Sequence, residues 1–445
     1  MAKAKKSVLQ AMSDPVTEME LPMDAPSNWK WARLIQIYYF IDYRGKTPTK
    51  IEKGIPLVTA KNVRKGYLDY SIAEYISEEE YIERQTRGIS HCGDILFTTE
   101  APMGNVAIAD LDVFSAGQRV ITFQKRTHTN WANNKFYYYY ILSDWFQGEL
   151  DRQKTGSTVA GIKAEKLMRF PIPLPPIDEQ QRIVDRIESL FAKLDEAKEK
   201  AQAVVDGFED RKAAILHKAL SGELTEEWRK GNGAPKFKQV KLGACLKTME
   251  TKKPVGEYFS YIDIDSIDNK RQIVRSPKKT LVKEAPSRAS RAVHSGDVLF
   301  SMVRPYLKNI ALIDESLQDC IASTGFYVCS PKSDLDSQFL YYLLCSKDSI
   351  DYLMQFMKGD NSPSIRKDDL LGMDIWLPSL PEQKQIESIL DTTLDKEQQA
   401  KEVAEQVMDQ IDTMKKSILA RAFRGELGTN DPADESAEEL LKQIL

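Results

Sequence analysis

Leu174-Pro175-Pro176-Ile177-Asp178-Glu179-Gln180-Gln181-Arg182-Ile183 opens a long stretch of regularly spaced apolar residues, and Leu377-Pro378-Ser379-Leu380-Pro381-Glu382-Gln383-Lys384-Gln385-Ile386 opens a second one 203 positions later. The same offset holds elsewhere. His91, Gly93, Asp94, Leu96 and Phe97 return as His294, Gly296, Asp297, Leu299 and Phe300. Phe136, Tyr138 and Tyr139 return as Phe339, Tyr341 and Tyr342, and Gly222-Glu223-Leu224 returns as Gly425-Glu426-Leu427. One offset kept from His91 to Leu224 marks a duplicated unit. Two copies on one chain imply approximate two-fold symmetry, suited to a two-fold partner or to two copies of one partner.

Behind each opening the apolar residues recur in alternating steps of four and three, the pattern of a coiled-coil seam. The first series is Ile183, Ile187, Leu190, Leu194, Ala197, Ala201, Val204 and Phe208, with a lapse at Arg211 before Ile215. The second is Ile386, Leu390, Thr393, a lapse at Glu397, then Ala400, Ala404, Val407, Ile411, Met414 and Ile418. Asp178 is placed to cap the first helix, and Gly222 and Gly425 stand where a left-handed residue would end each helix. A helix from Asp178 to Ser221 would be about 65 Å long. Alone it would expose its seam, whereas two in one chain can bury theirs against each other. Short connections then favour an antiparallel pair, and Ala197, Ala201, Ala400 and Ala404 permit close approach. The residues expected to hold the pair are Ile183, Ile187, Leu190, Leu194, Val204, Phe208, Ile386, Leu390, Val407, Ile411 and Ile418, each of which also reads as ordinary bundle core.

The part before each helix is turn-rich. Short runs bounded by Gly, Pro, Asn and Asp read as strands: Ile55 to Ala60, Asp94 to Thr98, Val106 to Ala109 and Val120 to Phe123, then Tyr258 to Ile264, Asp297 to Met302, Ile310 to Ile313 and Gly325 to Val328. Aromatic segments, Asn134 to Leu150 and Asp336 to Met357, fit one or two helices packed on the sheet. The fold class expected is α+β: two β-rich domains, 21–170 and 235–375, and two long antiparallel helices, 171–230 (with a polar linker from Gly207) and 376–428. A tail, 429–445, and the first twenty residues read as loosely ordered, solvated segments.

The 445 residues carry a net charge of −4, so no global basic field announces nucleic acid, although local patches decide binding. Five cysteines without C-x-x-C spacing read as reduced thiols of a cytoplasmic protein. No signal peptide is evident, and the apolar runs are too short to span a bilayer. Nothing reads as an active site. There is no phosphate-binding G-x-x-x-x-G-K-[ST], no G-x-G-x-x-G, no H-E-x-x-H and no N-P-P-[YF]. No metal site is expected from four histidines. His91 and His294 precede Gly-Asp pairs and read as turn residues.

Basic, hydroxyl and amide side chains collect in the loops. The first copy offers Arg44, Lys46, Lys61, Asn62, Arg64, Thr99, Lys154, Ser157 and Thr158. The second offers Arg288, Arg291, Arg304, Tyr306, Lys308, Asn309, Lys358, Asn361 and Ser362. Two of these loops correspond across the repeat, one following the Gly-Asp strand and one at Lys154 and Lys358. They coincide in place and differ in residue, as expected of one scaffold with two specificities. Arg and Lys suit phosphates and guanine edges, Asn and Gln adenine edges. A coiled-coil adaptor binding protein or glycan is the competing reading.

The whole pattern resembles the specificity subunits of type I restriction–modification systems. Pro173-Leu174-Pro175-Pro176-Ile177-Asp178-Glu179-Gln180-Gln181-Arg182-Ile183 is similar to that family's P-L-P-P-x-x-E-Q-x-x-I, and Gly222-Glu223-Leu224 and Gly425-Glu426-Leu427 to its G-E-L helix endings. The resemblance implies a non-catalytic subunit that binds double-stranded DNA at an asymmetric, bipartite target. Each recognition domain would read one half-site, and the helices would set the spacing. It further implies two copies of an adenine methyltransferase subunit as partners, with S-adenosylmethionine bound there and no cofactor on this chain, and motor-nuclease subunits for restriction.

Overall fold

The computed structural model describes residues 10, 12–156 and 159–445. The chain forms two compact units. The first takes the N-terminal stretch to Lys200 together with Val407–Leu445; the second is Ala201–Gln406. Each therefore combines one β-rich domain with the beginning of the helix that follows it and the end of the other long helix.

In the first unit a four-stranded antiparallel sheet runs in the order Tyr38–Asp42, Val120–Lys125, Ile95–Thr98, Val106–Ile108. Ile95–Thr98 is buried on both faces. Ile95 and Phe97 point into the larger core with Phe123, Phe136 and Tyr140, while Leu96 points into a smaller core with Ile41, Val58 and Phe114. Alternation by two sends successive side chains to opposite faces, which is why this strand reads as a continuous apolar run. A three-stranded sheet, Tyr75–Ile76, Ile55–Val58, Ser115–Ala116, carries the smaller core. The aromatic segment is two helices, Asn134–Leu142 and Asp144–Gln153, capped by Asn133 and Ser143.

The second unit repeats the plan. Val298–Ser301 lies between Ile310–Leu312 and Phe326–Cys329, and a four-stranded sheet runs in the order Lys278–Leu281, Tyr258–Ile262, Ile321–Ser323, Ala289–Ala292. Val298 and Phe300 face one core, and Leu299 faces the other. The helices Ser337–Cys345 and Lys347–Met354 match the aromatic pair of the first unit.

The long helices are Ile177–Asp206, continued by Phe208–Leu220, and Leu380–Ala422. In the first unit their stretches run antiparallel: Lys198 meets Asp412 at 2.7 Å, and Lys415 pairs with Asp195 and covers the Phe191 ring at 4.9 Å. In the second unit Lys401 covers the Phe208 ring at 4.8 Å, and Arg211 meets Glu397 at 2.7 Å. The two lapses in the apolar series thus pair with each other. Ile183, Ile187, Ile386 and Leu390 are fully buried, and Phe208 and Ile411 nearly so. Leu190, Leu194, Val204, Val407 and Ile418 are half-buried.

Several expectations are corrected. The first helix begins at Ile177, one residue before Asp178, so Asp178 lies in its first turn. It is divided at Gly207, where a Cβ would lie 2.6 Å from the Arg211 guanidinium that reaches back to the Val204 carbonyl. The stretch from Gly207 is helix to Leu220, then a short helix Glu226–Gly231, rather than a linker. Ala197, Ala400 and Met414 are exposed, because two helices alone cannot surround a seam. Pro171–Leu174 is not merely a stop; it pairs as a strand with Lys30–Arg33, a two-stranded arrangement that tolerates missing N–H donors. Nor are the described parts of the terminal segments loose. Arg33 donates to the Asp14 and Pro15 carbonyls and to Glu20, while Ala437, Leu440 and Ile444 are buried in the first unit's core.

Two outcomes follow. Glu397→Leu alone should lower the urea midpoint by about 1 kcal/mol equivalent, whereas Arg211→Leu with Glu397→Leu should restore the midpoint or raise it, since an unpaired half-buried charge costs more than an apolar pair. The hydrogen bond from Arg33 holds the Glu20 carboxyl at about 2, below its ordinary 4.5. A depressed acid stabilises fully above its unfolded value and loses this as pH falls through the folded one. Protection factors of residues 12–21, which correct exchange for its intrinsic pH dependence, should therefore be constant above about pH 4.5 and fall progressively towards pH 2, and Glu20→Gln should flatten that response.

Candidate nucleic-acid interface

The helix starts are built the same way in both units. Gln180 accepts from the Asn133 backbone N–H at 2.9 Å and donates to the Pro175 carbonyl. Gln383 accepts from the Asp336 N–H at 2.7 Å and donates to the Pro378 and Asp334 carbonyls. Asn133 and Asp336 are the caps of the aromatic helices. The neighbouring Glu179, fully buried, accepts from Trp29 Nε1 at 2.7 Å and from Asn430, beyond the end of the second helix. Burial pushes its carboxyl up, against those hydrogen bonds. Glu382, also fully buried, accepts from Thr225 and Arg229, beyond the end of the first helix. The Glu-Gln pair is thus a structural clamp, joining the domain, the start of one helix and the end of the other within a unit.

The histidines that precede the Gly-Asp pairs belong to turns. Their backbone N–H groups donate to Asp94 and Asp297, both at 2.8 Å, closing matched turns with Gly93 and Gly296 at φ 86° and 87°. Burial pushes Asp94 up from its ordinary value. No group of three or more His, Cys, Asp or Glu that could hold a metal occurs among the described residues. All five cysteines are free thiols.

The two corresponding loops meet in each unit. Glu100 and Thr155 both bridge to Gly161, and Val303 and Lys358 both bridge to Ser364, each partner displaced by 203. Ile162 N–H donates to the Thr99 carbonyl, and Ile365 N–H to that of Met302, both at 3.0 Å. Ala101 and Arg304, again matched, both have φ 49°. Left-handed backbone costs a non-glycine residue of order 1 kcal/mol, so the loop shape is imposed by its surroundings.

Within this shared frame the predicted residues divide. In the first unit Arg44 pairs with Asp42 at 3.5 Å, Lys61 with Glu74 at 3.3 Å, Arg64 with Asp69 at 3.1 Å and Lys154 with Asp151 at 3.2 Å. Lys46 is exposed and has no ion pair among the described residues. Asn62 and Thr99 are corrected: both are buried and committed internally. Asn62 accepts from Thr59 and donates to the Asp69 and Ile72 carbonyls, holding its own loop, and the Thr99 hydroxyl donates to the Arg119 carbonyl. Ser157 and Thr158 lie outside the described residues.

In the second unit Arg288, Arg304, Lys308 and Lys358 form no ion pair among the described residues. Arg304 donates to the Asn361 carbonyl at 2.8 Å, joining its loop to the one that carries Asn361 and Ser362. Arg288, Arg304 and Ser362 line one cleft of about 820 Å³. Tyr306 is exposed beside it. Arg291, on the strand Ala289–Ala292, is half-buried and does not line the cleft. Asp263, Asp265 and Asn269 form part of the cleft wall. Sequence reading took Asp263 as part of a strand and passed over Asp265 and Asn269, because nothing in their spacing shows that they fold against the Arg304 loop. Burial raises Asp263, but hydrogen bonds from Lys278 and Ser266 outweigh it and hold the carboxyl below its usual range.

A duplicated α+β frame with matched loop pairs and different side chains on them defines a two-part recognition protein. The chain belongs to the type I restriction–modification specificity family, whose domain model, Type I restriction modification DNA specificity domain, matches residues 26–205 and 237–406. It is 24% identical over 431 residues to the type I restriction enzyme MjaVIII specificity subunit of Methanocaldococcus jannaschii, covering 90% of this chain and 93% of that one. It is 22% identical over 296 residues to the EcoDI specificity subunit of Escherichia coli, covering 61% and 66%. The HsdS subunit of Thermoanaerobacter tengcongensis shares the fold, with TM-score 0.61 and 20% identity over 92% of this chain and all of the other. So does a chain solved in work on complex assembly and conformational transition of the type I R-M system, with TM-score 0.64 and 21% identity over 91% of this chain and all of the other.

Asn62→Ala should lower the thermal stability of the first unit by about 1–3 kcal/mol, because it orphans buried carbonyls and N–H groups. Lys61→Ala, which removes only an exposed pair, should change it by less than about 0.5 kcal/mol. Thermal unfolding of the two variants checks the assignment.

Proposed function

We propose that this chain is the sequence-reading subunit of a type I restriction–modification complex: each unit reads one half of a bipartite, asymmetric double-stranded DNA target through its paired loops. The observation that carries this reading is the loop pair itself. The backbone bridges coincide across the repeat, while the side chains on them differ: Glu100 against Val303, Ala101 against Arg304, Thr155 against Lys358. One scaffold presenting two side-chain sets suits two unlike half-sites. Phosphate contacts would position each unit and base contacts would specify the sequence. In the first unit Arg44, Lys61, Arg64 and Lys154 already sit in surface pairs worth about 0–1 kcal/mol, weak enough to exchange a carboxylate for a phosphate. In the second, Arg288, Arg304, Lys308 and Lys358 have no acid partner among the described residues.

On this reading the chain catalyses nothing itself and works beside a nucleic acid in the cytoplasm. No helix among the described residues is long and apolar enough to cross a membrane. Adenine methylation would belong to two partner methyltransferase subunits, which would bind S-adenosylmethionine, and cleavage to motor-nuclease subunits. Apolar side chains left on the long helix, Met414 in the first unit and Val403 in the second, 47% and 57% exposed, offer such partners a surface.

Arg304→Ala with Lys308→Ala in the assembled complex should weaken DNA binding and reduce the slope of log affinity against log salt by about 2, one phosphate contact for each cation. An unchanged slope would instead favour the adaptor that binds protein or glycan.

A further inference from the structure

The second unit's cleft holds one feature that the first unit lacks. Asn105 and Asn309 occupy equivalent places after the Gly-Asp strand: the Asn105 carbonyl accepts from Thr98 N–H, and the Asn309 carbonyl accepts from Ser301 N–H, a residue 203 positions on. The Asn105 side chain is occupied, donating to the Val63 carbonyl at 2.9 Å. Asn309 is 94% buried as a residue, its side chain makes no hydrogen bond among the described residues, and it lines the cleft beside Arg304. Its carboxamide is therefore uncommitted and faces an open cleft rather than packed core.

The walls indicate what that cavity takes. Arg288 and Arg304 stand on it, but so do Asp263 and Asp265. Lys278 pairs with Asp263, so the wall mixes cations and acids rather than forming a purely cationic pocket. A base edge is uncharged, carries both donors and acceptors, and suits a wall of mixed sign. The loop is also fixed in shape. Left-handed residues Arg304 and Lys308, at φ 49° and 51°, bracket the turn Pro305–Leu307, and Arg304 is tied to Asn361. Strained, over-determined backbone of this kind gathers at ligand-binding positions.

We propose that Asn309 is a specificity-determining residue, its side-chain amide reading an adenine through the N6 donor and N7 acceptor, in the half-site bound by the second unit only. The planar amide offers an acceptor and a donor in the spacing that adenine presents. The first unit reads its half-site by other means, because Asn105 is committed to Val63. This rests on the DNA-reading function above.

The test is the methylation motif of the full complex, read by sequencing methylated plasmid DNA, for the parent and for Asn309→Asp, which keeps the shape and loses the donor. The expected result is relaxed discrimination at one adenine position of one half-site, by about 5- to 150-fold, with the other half-site unchanged. Asn309→Ser serves if a buried carboxylate unfolds the domain. A motif unchanged in the folded variants overturns the proposal, as does a melting-temperature loss with the motif intact, which would make Asn309 a folding residue. A parent complex with no bipartite motif would fail the DNA-reading function instead, so the two failures are distinguishable.

Discussion

Everything in each unit hangs on a buried acceptor at the start of a long helix. Glu179 and Glu382 lie fully inside the protein, where a carboxylate is costly unless hydrogen-bonded. Their partners come from far along the chain: Trp29 and Asn430 for Glu179, Thr225 and Arg229 for Glu382. Beside each, Gln180 or Gln383 fastens the cap of an aromatic helix. The partners of two adjacent buried polar side chains thus bring together the β-rich domain, one helix start and the opposite helix end, although one oxygen of each carboxylate keeps no partner among the described residues. It also explains why the compact units cut across the order of segments along the chain.

From that clamp outward the structure becomes less constrained and more functional. The two-faced strands Ile95–Thr98 and Val298–Ser301 are held by cores on both sides, and their loops inherit a fixed direction. The loops then cross to the bridges at Gly161 and Ser364. At the tips the two copies share backbone bridges and carry different side chains. A rigid frame with variable tips suits recognition, because binding then requires little loop ordering.

Much of this was legible in the chain. The offset of 203, the apolar series of the long helices, the strand before each Gly-Asp loop and the aromatic helices all follow from period and turn chemistry. The pairing of Arg211 with Glu397 was written as two lapses in two series, meaningful only once the series are antiparallel. Tyr38–Asp42 was missed although its Tyr-Tyr-Phe-Ile run carries strand propensity. The prolines hid Pro171–Leu174, and polar composition hid the docking of Ala437, Leu440 and Ile444.

The sequence by itself determined the duplication, the α+β class, the long helices and the positions of the loops, because each rests on local periodicity that a single chain displays. Only the tertiary structure decided which loop residues remain free to act. Asn62 and Asn309 are the same residue type in loops equally marked as candidates. The first is consumed by Thr59, Asp69 and Ile72, and the second faces a cleft. A side chain's availability is set by what folds against it, and those neighbours arrive from segments whose spacing carries no periodic signal.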